Sequence, residues 1–88
     1  MMNIAQAPHG INVVVETEGS VYIGRLGKLQ GDQVRMHHAA VFPVTVGQDS
    51  EALIRRTAKY GVPVEHVDLV FANHGIQRIR KLGDVPKA

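Results

Sequence analysis

The chain has 88 residues, no cysteine and a formal net charge of +2, and 44% of its residues are apolar. This excludes disulfide stapling and a disordered chain, and points to one small domain over residues 1–88. A domain of this size buries only about 60–65% of its unfolded surface, so a metal or self-association is the expected source of extra stability.

Residues 1–10 carry Pro8 and Gly10 and read as a flexible lead-in. They lack the basic start and apolar run of a signal peptide, and no apolar run in the chain approaches the roughly 20 residues of a membrane-spanning helix. A soluble cytoplasmic protein with no membrane contact is the expectation. Ile11 to Thr17 is rich in β-branched residues and predicts a first strand. Glu18-Gly19-Ser20 predicts a turn into a second strand, Val21 to Leu26. Gly31-Asp32 marks another turn, and Val34 to Val46 predicts a third strand, open to interruption at Pro43.

The hydrophobic period then changes. Asp49 or Ser50 can cap a helix that runs from Glu51 to Tyr60, with Gly61 at its C-terminal end. Leu53, Ile54, Thr57 and Ala58 share one side of it, and Arg55, Arg56 and Lys59 face outward. Val64 to Phe71 and Ile76 to Leu82 predict a fourth and a fifth strand, joined by a tight turn at Asn73-His74-Gly75. Residues 83–88 form a tail. The expectation is a mainly β domain of five strands, with one short helix between strands 3 and 4.

Gly19, Gly24, Gly27 and Gly31 fall within thirteen residues. A phosphate-binding loop would place Lys and Ser or Thr after the second glycine of its pair and a helix after that, but Arg25 and Leu26 follow Gly24. No two of these glycines stand in the G-x-G spacing of a dinucleotide site. A glycine inside an apolar strand marks instead a bend or a close backbone approach, and Gly24 has that position. Gly19 and Gly31 suit turns. Gly27 has no evident role in the sequence.

The stretch Val15-Glu16-Thr17-Glu18-Gly19-Ser20-Val21-Tyr22-Ile23-Gly24-Arg25-Leu26 resembles the first sequence motif of Sm and LSm proteins, with Asp32 as the aspartate that follows it. Val70-Phe71-Ala72-Asn73-His74-Gly75-Ile76-Gln77-Arg78-Ile79 is similar in outline to the second. The resemblance implies a strongly bent five-stranded small barrel of the Sm-like, SH3-like kind that assembles into a homo-oligomeric ring, the fourth strand of one subunit pairing with the fifth of its neighbour. Neighbours would then bury what one small subunit cannot.

The same resemblance implies single-stranded RNA or DNA as partner, in nucleic-acid processing or chaperoning. Asp32 matches the family's aspartate. Val34 stands at the base-stacking position, Arg35 or Met36 where an asparagine is usual, Asn73 or His74 where an arginine is usual, and Gly75 at the family's glycine. Valine is a poor stacking platform, and without the asparagine one bidentate base contact is missing. Arg35 and His74 retain planar groups able to stack or to meet phosphate. Arg78 shares a strand face with Arg80 and is the remaining candidate for phosphate. The alternative is an oligomer of the same fold that docks proteins rather than nucleic acid, with the helix as its docking surface.

Catalysis and cofactors are not expected. Ser20 and Ser50 sit at turn or cap positions, and no Ser/His/Asp arrangement can be named. His37 and His38 are adjacent, so on a regular strand they point to opposite faces and cannot share one metal ion.

Overall fold

A computed structural model describes residues 4, 6–45, 47 and 49–86. Five strands form one antiparallel sheet: β1 (Asn12–Thr17), β2 (Ser20–Gln30), β3 (Gln33–Pro43), β4 (His66–Ala72) and β5 (Ile76–Lys81). One helix, α1 (Ser50–Tyr60), joins β3 to β4, and a short 3-10 turn (Leu82–Asp84) follows β5. Strand order is β4-β3-β2-β1-β5. Each of the first four strands pairs with a neighbour in sequence, and β5 crosses back to β1. The sheet is open: β4 and β5 are its two edges, and no pairing among the described residues joins them into a barrel.

β2 and β3 outrun the sequence expectation. β2 continues through Gly27, Lys28 and Leu29 to Gln30, because β3 supplies a ladder as far as the Gln30–Gln33 pair. β3 ends at Pro43, whose ring nitrogen has no hydrogen to donate; Val46, expected in this strand, lies outside the described residues. β4 begins at His66 rather than Val64. Residues 1–3 and 5 of the lead-in and 87–88 of the tail also lie outside the description. Within the lead-in, Ala7 is buried and Ile4 packs against the core, so this part is docked on the sheet.

The apolar run Val13-Val14-Val15 is wholly buried, since β1 is covered on both faces. Alternation sends Val13 and Val15 to one side, with Leu26, Val34, Met36, Phe71 and Ile79. Val14 points to the other side, where Val21, Ile23, Leu82 and Val85 meet Ile54 of α1. On the first side the Tyr22 and Phe71 rings stack with centroids 3.9 Å apart.

The helix is set by its caps. The Asp49 carboxylate accepts from the backbone N–H of Glu51 at 3.0 Å and of Ala52 at 3.3 Å, and the Gly61 N–H donates to the Thr57 carbonyl. Ile54 and Thr57 are its buried residues.

The glycine cluster serves close approach. A Cβ on Gly24 would lie 2.9 Å from the Ala39 Cα and 2.9 Å from the Met36 Cγ. The β2–β3 register shifts at this point, between Ile23 and Arg25, and His38 adopts φ +50° in the extra residue of β3. A Cβ on Gly27 would lie 2.5 Å from His37 Nε2: the imidazole lies flat over the bare backbone.

Candidate nucleic-acid interface

The β3–β4 register carries Gln33 opposite Ala72, so the turn before β3 and the turn after β4 leave the sheet at the same end. There the Asn73 backbone N–H donates to the Asp32 carbonyl oxygen at 2.6 Å. This bond closes two turns that are forty residues apart in sequence into one loop cluster. Asp32, Asn73, His74 and Gly75 are all exposed in it. The Asp32 carboxylate and the Asn73 side-chain amide together offer acceptors and donors on one small surface. Lys28, three residues before Gly31, is exposed and has no ion-pair partner among the described residues.

The other expected residues are placed elsewhere. Val34 and Met36 have no exposed surface; they face the core beside Phe71 and Leu69 and present nothing on which a base can stack. The alternation of β3 is the reason: Arg35 takes the outer face and its two neighbours the inner one. Arg35 is half-exposed, and its Nη1 donates to Asp68 Oδ2 at 3.1 Å. His37 Nδ1 lies 3.3 Å from the other oxygen of the same carboxylate. His37 Nε2 is turned onto the Gly27 backbone, which leaves this Asp–His pair no free base nitrogen to offer a substrate.

Arg78 is engaged in an ion-pair network. Its Nε and Nη2 donate to the two Glu16 oxygens at 2.6 and 2.9 Å, and Nη2 also lies 3.3 Å from Glu51. Arg80 binds Glu51 through two nitrogens at 3.0 and 2.8 Å. The network ties α1 to β1 and β5. The Arg80 hydrogen bond, together with the positive field of Arg80, Arg78 and Arg55, holds the Glu51 carboxyl below its ordinary pKa. The bond to Glu16 likewise raises Arg78. An arginine held this way is a structural tie and is not free to receive phosphate.

Reading the sequence alone missed the acidic partners Glu16, Glu51 and Asp68, and the free cations Arg25 and Lys28. Only the closeness of Lys28 to the Gly31-Asp32 turn pointed to it. Among the described residues no three His, Asp or Glu side chains gather to hold a metal ion, and no helix is long and apolar enough to cross a membrane. Protein-family models, curated proteins and solved structures were all compared with this chain, and none matches it.

Proposed function

We propose that this chain is an Sm-like protein that pairs edge to edge into a closed oligomeric barrel ring and binds single-stranded RNA or DNA, without chemistry of its own. The observation that carries the reading is the Asn73-to-Asp32 hydrogen bond, which unites the two loops that the Sm resemblance names as nucleic-acid contacts. The strand order adds support, since it leaves β4 and β5 each with an unpaired ladder. Val67 and Val70 on β4 are 69% and 45% exposed, an apolar surface beside an unpaired edge that a neighbouring subunit would cover.

In this reading the Asp32 carboxylate and the Asn73 amide contact base edges, His74 stacks or meets phosphate, and Lys28 neutralises phosphate. Repetition around a ring multiplies a modest charge into a strongly positive surface. Arg78 is left out, because its guanidinium already serves Glu16.

The test is the mass of the purified protein in solution during titration with labelled oligo-U, oligo-A and single-stranded DNA. A closed oligomer is expected. Asn73→Ala is expected to weaken binding about three- to tenfold, the worth of one net hydrogen bond, with little change in salt dependence. Lys28→Ala is expected to reduce the salt slope by about 0.7 for each phosphate that the lysine neutralises. A monomer at all concentrations, or binding indifferent to both substitutions, would overturn the reading.

A further inference from the structure

The flank of α1 away from the ion-pair network bears on a different ligand. Glu51 and Arg55 lie toward β5, where Glu51 is taken up by Arg78 and Arg80. Leu53, Arg56 and Tyr60 lie on the other flank and, with β3 and the chain after the helix, line two depressions. One, of about 400 Å³, is walled by Phe42, Val62 and Pro63 as well as these three residues. The second, of about 350 Å³, is lined by Pro43 and Ala52 and shares Leu53 and Arg56 with the first. The two therefore form one trough along the helix, with Arg56 at its middle.

Arg56 is exposed and has no ion-pair partner among the described residues. The acid nearest in the lining, Asp49, is committed to the helix cap through the N–H groups of Glu51 and Ala52. The trough is thus apolar at both ends and carries an unanswered positive charge between them. An 11-residue helix is about 16 Å long, the span of about five residues of extended chain. In such a chain the first, third and fifth side chains point the same way.

We propose that this trough is a docking site for an extended acidic peptide segment of another protein, with apolar side chains at its first and fifth positions in the two depressions and a carboxylate at its third position on Arg56. Charge complementarity selects the occupant. A nucleic-acid strand needs a track of cations along its backbone, whereas among the described residues Arg56 is the lone cation lining the trough. The Tyr60 ring is not free to stack on both faces, since the Lys59 amine lies 5.3 Å from its centroid.

The experiment is NMR titration of the isotope-labelled full chain with the blocked pentapeptide Leu-Thr-Glu-Thr-Leu and with the same peptide carrying lysine at its centre. Shifts are expected at the Leu53, Arg56, Tyr60 and Val62 amides, with at least fivefold tighter binding of the glutamate peptide. Arg56→Glu, at an exposed position that the fold does not need, is expected to reverse that preference while leaving oligo-U binding unchanged. The last readout separates this site from the loop cluster at Asp32 and Asn73. Charge-blind binding, an absence of shifts at millimolar peptide, shifts confined to the Asp32 and Asn73 loops, or displacement of the peptide from α1 by oligo-U would each overturn the proposal.

Discussion

Replacing Gly24 by alanine adds one methyl group where β2 and β3 come closest. The new carbon would meet the Ala39 Cα at 2.9 Å, the Met36 Cγ at 2.9 Å and the Ala39 Cβ at 3.0 Å. The Met36 side chain can adjust, but the Ala39 contact is with backbone, so the strands must part. Overpacking of this kind costs about 1–3 kcal/mol. Loss of unfolded-state freedom on going from Gly to Ala returns about 0.4–1 kcal/mol. The net expectation is a destabilisation of about 1–2 kcal/mol, against a total stability on the order of 5–10 kcal/mol for a domain of this size. At roughly 4–8 °C per kcal/mol, Tm falls by about 5–15 °C. Thermal and urea unfolding followed by circular dichroism measure this. Gly19→Ala is the control, because a Cβ there meets nothing within 4 Å and the backbone is not left-handed. A Gly24→Ala protein as stable as the Gly19→Ala control would refute the close approach and the bend it permits.

Gly27→Ala is expected to cost less than Gly24→Ala, under about 1 kcal/mol, because the nearest atom is the movable end of the His37 ring, at 2.5 Å. Its signature is a displaced imidazole, read as a changed His37 proton resonance and a longer His37–Asp68 distance in NMR; an unmoved ring contradicts the packing described. Glu51 is held below the ordinary carboxylate pKa by Arg80, so its ion pairs stabilise the fold at neutral pH. That contribution begins to fade as the pH falls through the ordinary value of about 4.3 and is gone below the folded one. Glu51→Gln is expected to lower stability at pH 7 by about 1–2 kcal/mol and to flatten the decline between pH 6 and pH 3, and parallel pH profiles for the two proteins would refute the linkage. Asp49→Ala removes the acceptor for two N–H groups at the start of α1, and denaturant unfolding is expected to report a loss of about 1 kcal/mol; no loss would mean that Ser50 caps the helix instead.

The elements were legible locally. β-branched runs, turn residues and the caps at Asp49 and Gly61 depend on neighbours in the chain, so composition and period located all five strands and the helix. The unbroken apolar run Val13 to Val15 already announced a strand buried on both faces, and Gly24 announced a bend. What surrounds each side chain was settled by residues far away in sequence. Val34 and Met36 lie inside because pairing with Phe71 and Leu69 turns that face of β3 inward. Arg78 and Arg80 look like one free basic stripe until β1 and α1 bring Glu16 and Glu51 against them. Gly27 had no reason until His37 came to lie on it, and Asp32 and Asn73 meet only because Gln33 pairs with Ala72. Backbone preference and hydrophobic period act over a few residues and can be read directly. Ion pairing, burial and close contact are properties of the assembled sheet, so tertiary structure alone decided which charges remain free to meet a partner.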